Sequence, residues 1–187
     1  MFKEEIIKRY QRDSKGRLIV NVSLSNQKFA FEQFDNTTSY AHRDLNEDFA
    51  DYLYDCAHEI GNNPFAIRVD FPKKEKNKVD SEDIRTSIFN YFTYLSNLSR
   101  LRVRKLLYRT FFHISLSVLL LASLLLISSV TESSALHTMM FFEGLTIAAW
   151  VFMWPVFSDF MYEAIREKQY IKTVRKILSA EVLFDFH

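Results

Sequence analysis

Cysteine, glycine and proline are scarce in this chain of 187 residues, which has one cysteine, three glycines and three prolines. The single Cys56 can form no disulfide within the chain, and a lone cysteine fits a protein of the reducing cytosol. Three glycines leave little for a phosphate-binding loop, and neither a P-loop nor a dinucleotide fingerprint is present. A nucleophile elbow, HExxH and Cys/His metal spacing are missing too, so we expect no enzyme, no cofactor and no metal.

An excess of charge of one sign is also missing, because 24 Lys and Arg stand against 23 Asp and Glu. This balance excludes a wholly basic nucleic-acid binder. Glu4 and Glu5 lie where a secretory signal would carry basic residues, so we expect no cleaved signal and a head made in the cytosol. The mean hydropathy of −0.10 conceals a strong segregation, since residues 110–130 contain no Asp, Glu, Lys or Arg.

Two apolar stretches are long enough to span a bilayer. Residues 110–130 would form a helix of about 31 Å at about 1.5 Å per residue, which matches the hydrocarbon core. Residues 139–158 form the second stretch, with Glu143 near one end and Pro155 near the other. The polar linker 131–138 between them is short, which predicts an antiparallel hairpin with both chain ends on one side.

Basic residues predict which side that is. One group precedes the first span and another follows the second, while the linker has none: Arg100, Arg102, Arg104, Lys105 and Arg109, then Arg166, Lys168, Lys172, Arg175 and Lys176. Positive charge collects on the cytoplasmic side of membrane proteins, so we expect both termini in the cytoplasm. Trp150 and Trp154 lie toward that end of the second span, where indole rings favour the headgroup region.

The first 80 residues predict a small α/β head. Residues 18–24 and 65–71 alternate apolar and polar side chains as half-buried strands do. A helix between them, capped by Asp44 and ended by Gly61, completes a β-α-β unit. The turn signature at 13–16 predicts a hairpin partner strand over residues 5–11.

A long helix is predicted after the head, because no Gly or Pro occurs between Pro72 and Gly144. It would run from Ser81 into the first span, about 75 Å if all 50 residues to Val130 are helical. After Pro155 an apolar stripe predicts an amphipathic cytoplasmic helix. The expected fold is therefore an α+β membrane protein with four parts: a head (1–80), a helical stalk (81–109), a transmembrane hairpin (110–158, with spans 110–130 and 139–158) and a tail (159–187).

Polar residues within the spans are the first candidate functional residues, since such residues at membrane depth are costly. They fall on one stripe of each predicted helix: His113, Ser117 and Ser128 in the first, Glu143 and Thr146 in the second. In a symmetric oligomer they would line a pore. The other interpretation is that the hydroxyls bond to helix carbonyls and hold helices together, while Glu143 lies at the outer interface in water.

The basic group Arg100, Arg102, Arg104, Lys105 and Arg109 also has two interpretations. It satisfies the positive-inside rule with anionic lipid as its partner. Repeated by symmetry, it would also surround the cytoplasmic end of a pore and attract anions, including nucleotides or oligonucleotides. The nearest acid–base sets, His42-Arg43-Asp44 and Asp55 with His58, are expected to be structural.

Several runs together resemble one protein family. They are Leu18-Ile19-Val20-Asn21-Val22-Ser23-Leu24-Ser25, Arg43-Asp44-Leu45-Asn46, Glu143-Gly144-Leu145 and Trp150-Val151-Phe152-Met153-Trp154-Pro155. The likeness is to a family of short, mostly uncharacterised bacterial two-span membrane proteins with a cytosolic head. The layout also resembles membrane effectors of bacterial antiviral systems, in which oligomers open or permeabilise the inner membrane, and we therefore expect the chain in that membrane.

These observations support two function hypotheses from different classes, and they neither support nor contradict a third. The first is a homo-oligomeric channel or pore-forming effector of about four copies or more, gated from the cytosol by a ligand or protein. The second is a non-conducting anchor or scaffold that holds a cytosolic partner protein at the membrane. A third is an enzyme subunit whose active site another protein completes.

Overall fold

The structure is a computed structural model that describes residues 2–32, 44–130 and 136–187. His42 and Arg43, and most of the predicted linker, lie outside the described residues. The chain divides into two compact units. The first unit comprises Met1–Leu98 and Tyr170–His187, and the second comprises Ser99–Gln169.

The chain is mostly helical, with a small mixed sheet. Its helices are α1 (Phe2–Ile7), α2 (Glu47–Ile60), α3 (Ser81–Val130), α4 (Leu136–Ser158) and α5 (Ile165–Ser179), and its strands are β1 (Gln11–Arg12), β2 (Leu18–Ser23), β3 (Phe65–Phe71) and β4 (Glu181–Phe186). Short 3-10 turns occupy Gln27–Ala30 and Lys73–Glu75, and a π turn, Asp159–Ala164, joins α4 to α5.

The four strands lie in the order β1-β2-β3-β4. β1 pairs antiparallel with β2, whereas β2–β3 and β3–β4 are parallel. The predicted β-α-β unit is confirmed as β2, α2 and β3. β4 comes from the end of the sequence and pairs along β3 from Ala66 opposite Glu181 to Phe71 opposite Phe186.

The core of the first unit lies between the sheet and three helices. Its largest fully buried side chains include Leu18 and Ile67 from the sheet, Leu53 and Ile60 from α2, Ile84 and Phe92 from α3, and Val174 and Ile177 from α5. The apolar side chains Ile84, Ile88 and Phe92 at the start of the long helix are therefore buried in this core. Burying a side chain of this size stabilises the unit by roughly 1.5–3 kcal/mol.

The ends of the helices follow the local sequence. Asn46 caps α2, because its side chain accepts from the Phe49 amide at 3.1 Å; the cap predicted at Asp44 is two residues early. Gly61 ends α2 as predicted, with φ at 65°, a conformation that favours glycine. Asp80 caps α3 by accepting from the amides of Glu82 and Asp83.

Two predictions for the first unit need correction. The strand predicted over residues 5–11 is wrong in its first part, because Phe2–Ile7 is helical and only Gln11–Arg12 pairs with β2. The amphipathic tail helix exists as α5, but it ends at Ser179 and a strand follows. The strand Glu181–Phe186 forms because it pairs with β3, since its own alternation of exposed and buried positions is weak.

The second unit contains both long apolar stretches, residues 110–130 and 139–158. Within the described ranges, two helices are long and apolar enough to cross a membrane by length and composition, and only 6% of the most apolar 18-residue window of each is buried. The unbroken helix predicted from Ser81 to Val130 is confirmed. Large apolar side chains on it, such as Phe111 and Leu125, are exposed along its length.

Candidate functional site

One polar contact joins α3 to α4 within the second unit. The Ser117 hydroxyl donates to the carbonyl oxygen of Ala149 at 2.9 Å, and both residues are 1% exposed. The small Ala149 side chain lets the helices approach closely enough for this bond. Ser117, a predicted pore-lining residue, therefore lies in the helix–helix contact.

His113 lies one helical turn before Ser117 and is also partly enclosed by the two helices. Its ring is 5.7 Å from Phe112 and 6.4 Å from Phe152 of α4, measured between ring centroids. Its Nδ1 is buried and has no hydrogen-bond partner in the described part of the chain. The ring is held by aromatic neighbours, with one polar atom unsatisfied.

The other three predicted pore-lining residues meet in one groove on the surface of the second unit. Ser128 of α3 and both Glu143 and Thr146 of α4 line it, together with Leu124, Phe142 and Ile147. The Ser128 hydroxyl donates to the Leu125 carbonyl and the Thr146 hydroxyl to the Phe142 carbonyl, each within its own helix. Glu143 is exposed, so a carboxylate lies in the groove beside two hydroxyl residues and three apolar side chains. We call this the Glu143 groove.

The structure separates the five predicted residues into two sets. Ser117 and Ser128 are 11 residues apart on α3, which is about 16 Å along the helix axis. His113 and Ser117 belong to the contact between helices, whereas Ser128, Glu143 and Thr146 share the Glu143 groove. They do not form one continuous polar surface on a single copy of the chain.

A cluster of charges lies at the other end of the two apolar helices. Arg109 binds both carboxylate oxygens of Asp159, with Nε 3.0 Å from Oδ2, and its Nη2 lies 3.0 Å from Glu163. The Asp159 side chain is 7% exposed and that of Arg109 is 49% exposed. The hydrogen bond from Arg109 to Asp159 raises the pKa of the guanidinium.

A second ion pair continues this cluster toward α5. Glu167, whose side chain is 14% exposed, accepts from the Ser99 hydroxyl at 2.5 Å and lies 3.4 Å from the Arg102 guanidinium. Arg102 in turn donates to the Ser99 hydroxyl at 3.2 Å. We call these residues the charged cluster: Ser99, Arg102, Arg109, Asp159, Glu163 and Glu167.

The predicted basic group is therefore divided. Arg102 and Arg109 are neutralised by carboxylates of the charged cluster, whereas Arg100, Arg104 and Lys105 are exposed and form no ion pair among the described residues. The Arg104 guanidinium lies 5.8 Å from the centre of the Tyr108 ring. Three of the five basic residues remain available to an anion.

The acidic half of the charged cluster was missed by sequence reasoning, although a signal exists. Asp159, Glu163 and Glu167 follow one another at intervals of four, and Arg102 and Arg109 are seven apart. Both spacings place side chains on one helix face. In a predicted antiparallel hairpin, residue 109 just before the first span is a natural neighbour of residue 159 just after the second.

The π turn helps to position the acids of this cluster. Pro155 has no backbone N–H, so it removes one hydrogen bond from the α4 ladder a single turn before Asp159. Residues Asp159–Ala164 then follow π geometry, in which each turn holds an extra residue. Asp159 and Glu163 both lie in this turn, and both reach Arg109.

Comparison with known proteins assigns no family to the chain. No family model, curated protein or solved structure matches it significantly.

Proposed function

We propose that this chain is a two-span membrane protein whose hairpin assembles with other copies into an ion-conducting channel. The first unit lies in the cytosol in this proposal, and the membrane is the inner membrane of a bacterial cell. The observation that carries the proposal is the Glu143 groove, which presents a carboxylate and two hydroxyls on an apolar surface.

Placement in a membrane rests on the exposed surface of α3 and α4. The largest exposed side chains there are apolar or aromatic, for example Phe111, Leu126, Met140 and Trp154, each more than half exposed. Soluble monomers rarely expose continuous apolar patches of this extent, whereas lipid tails solvate them. In the proposal, the charged cluster and the exposed Arg100 and Lys105 would lie at the cytosolic boundary, as the positive-inside rule predicts.

Assembly of several copies would give the groove a polar environment. An ionisable side chain inside a bilayer costs about 2.5–3.5 kcal/mol at the centre and less toward the interface. Glu143 is exposed on one copy, so a single hairpin would present its carboxylate to lipid or to the interface. A ring of about four or more copies would turn the groove inward and surround a water-filled path.

The resulting channel would prefer cations at the end that holds Glu143, because a ring of carboxylates attracts them. At the cytosolic end, Arg100, Arg104 and Lys105 would meet phosphate, either of anionic lipid or of a nucleotide or oligonucleotide that gates the channel. A role as a membrane effector in antiviral defence follows from the likeness of layout. It is part of the proposal.

Conductance of purified protein in planar bilayers tests the channel. We expect discrete currents with a preference for cations, and we expect Glu143→Gln to reduce that preference by removing the charge. Ser123→Ala is the matched control, because the Ser123 hydroxyl donates to the Leu120 carbonyl of its own helix and does not line the groove.

The same preparation gives a second readout, the native mass of the complex in mild detergent. A closed assembly of about four copies or more is expected. A monomer without current would contradict the proposal, and so would a current whose selectivity Glu143→Gln leaves unchanged.

A non-conducting anchor is the second candidate, and a specific observation favours it. Ser117, Ser123, Ser128 and Thr146 all donate to helix carbonyls, as hydroxyls do when they only serve packing. An anchor would keep its function when an unrelated two-span hairpin replaces residues 110–158. A channel would lose it.

A further inference from the structure

Three potential metal ligands converge in the first unit, at the end of the pairing between β3 and β4. Asp70 and Asp185 are direct partners across the two parallel strands. His187 lies two residues after Asp185 and therefore on the same face of the strand. One donor atom from each of the three side chains lies within 4.8 Å of the others.

The main chain holds these residues in place. The His187 amide donates to the Phe71 carbonyl at 3.1 Å, and the Lys73 amide donates to the His187 carbonyl at 3.1 Å, so the ladder continues past β4. On the other side, the Leu24 amide donates to the Asp70 carbonyl at 2.9 Å. The three side chains thus project from a hydrogen-bonded sheet.

One oxygen atom of this cluster lacks a hydrogen-bond partner among the described residues. Oδ1 of Asp70 is shielded from solvent and has no hydrogen-bond partner in the described part of the chain. A buried oxygen without a partner costs about 1–3 kcal/mol, more when it is charged. Asp70 also faces a second carboxylate, and like charges directly opposite across a sheet are destabilising. The phenylalanines next in register, Phe71 and Phe186, stack at 5.9 Å and offer no positive charge.

We propose that the first unit binds one divalent transition-metal ion through Asp70, Asp185 and His187, with Zn²⁺ as the best fit. Two carboxylates and one imidazole suit Zn²⁺, whereas Mg²⁺ and Ca²⁺ prefer oxygen ligands alone. At metal–ligand distances of about 2.1 Å, the ligand atoms of a tetrahedral site lie about 3.4 Å apart. The three donor atoms lie within 4.8 Å of one another, so side-chain rotations would have to bring them closer to close the site. Three protein ligands leave a coordination position for water or for a further ligand.

This inference does not depend on the channel, because all three residues belong to the first unit. Oδ1 of Asp185 accepts the Phe186 amide at 2.9 Å, and its other carboxylate oxygen forms no hydrogen bond with the described residues, so it can bind the ion. The ion would join the last strand of the chain to β3. The sequence separation of the ligands, 115 residues between Asp70 and Asp185, makes the site dependent on the complete sheet.

Calorimetric titration of the full-length protein in detergent, freed of metal with a chelator, tests the site. With ZnCl₂ as the probe we expect one ion per chain, and MgCl₂ at the same concentration should bind far more weakly. Asp70→Asn and His187→Gln should each weaken Zn²⁺ binding by at least about tenfold. Asp51→Asn and His58→Gln, the same changes at exposed positions of α2, should bind as the parent protein does.

Thermal denaturation adds a readout that misfolding cannot imitate. Without metal, Asp70→Asn should unfold at the same or a higher temperature than the parent, because the repulsion with Asp185 is gone. With Zn²⁺ the parent protein should be stabilised more than the variant, since it binds the ion more tightly. No Zn²⁺ binding, equal binding by all variants, or equally tight binding of Mg²⁺ would each overturn the assignment.

Discussion

Single charged residues connect distant parts of this chain. Arg17, just before β2, donates to Asp13 at 2.8 Å and to Glu181, at the start of β4, at 2.6 Å. The hydrogen bond from Arg17 lowers the pKa of Glu181 below its usual range, with Lys15 adding to the effect. Slight burial would raise the pKa of Asp13, but hydrogen bonds from Arg17 outweigh it and the net shift is downward.

Acid should therefore loosen the β4 end of the sheet. A carboxyl group with a lowered pKa in the folded state contributes stability above its unfolded pKa, near 4, and this is lost as the pH falls through the folded value. We would measure amide hydrogen exchange in β4 at pH 5 and at pH 3 and correct it for intrinsic rates. The acceleration on lowering the pH should be larger in the parent protein than in Arg17→Gln. The comparison would fail if both proteins showed the same pH dependence.

Arg109 is the residue on which the charged cluster depends. Replacing it by Ala leaves the Asp159 carboxylate, 7% exposed, without its guanidinium, which should cost about 1–3 kcal/mol. Thermal denaturation in detergent measures the loss. Arg104→Ala removes an exposed cation near the Tyr108 ring and should lower the free energy of unfolding by at most about 1 kcal/mol. The double change Arg109→Ala with Asp159→Ala should recover part of the stability, and no recovery would contradict the pairing.

At the scale of elements, periodicity determined much of the fold. Alternation predicted β2 and β3, and the absence of Gly and Pro predicted the long helix α3. The short α1 was missed because six residues carry too little periodic pattern. β4 was missed because the helical pattern before it continues to Ser179 and the strand forms only against β3.

The contact between α3 and α4 depends on a small residue. Ala149 is 1% exposed beside Ser117, so Ala149→Leu would force the helices apart and cost about 1–3 kcal/mol. Ala122→Leu makes the same change at an exposed position of α3 and should be neutral. Ser117→Ala should cost only about 0.6 kcal/mol, since a single hydroxyl bond is lost. Equal effects of the two leucine variants, measured by thermal denaturation, would contradict close packing at Ala149.

At the scale of the whole molecule, the two-span proposal makes both chain ends accessible from one side. In a Cys56→Ser background, we would place single cysteines at Lys15, Lys168 and Ser133 and label spheroplasts with a membrane-impermeant maleimide. Lys15→Cys and Lys168→Cys should react only after lysis, because both positions are exposed and cytosolic in the proposal. Ser133→Cys should react in intact spheroplasts. Labelling of Lys15 and Lys168 on opposite sides would exclude the hairpin topology.

By itself the sequence determined what local pattern can specify. Apolar runs, alternation and the distribution of Gly, Pro and basic residues predicted two candidate spans, one long helix and the β-α-β unit, because each depends on neighbours within a few turns. The candidate residues of the Glu143 groove were also visible, as polar positions within apolar runs.

Only the tertiary structure decided which distant residues meet. Arg109 contacts Asp159, 50 residues later, because α3 packs in register with the π turn. Asp70 lies beside Asp185 and His187, more than 100 residues later, because β3 pairs in register with β4. Local periodicity contains no information about such pairings, because burial of apolar faces and main-chain hydrogen bonding between separate elements select them. Packing between α3 and α4 likewise places Ser117 in the helix–helix contact and outside the Glu143 groove, although Ser117 and the groove residues all lie on polar stripes of the sequence.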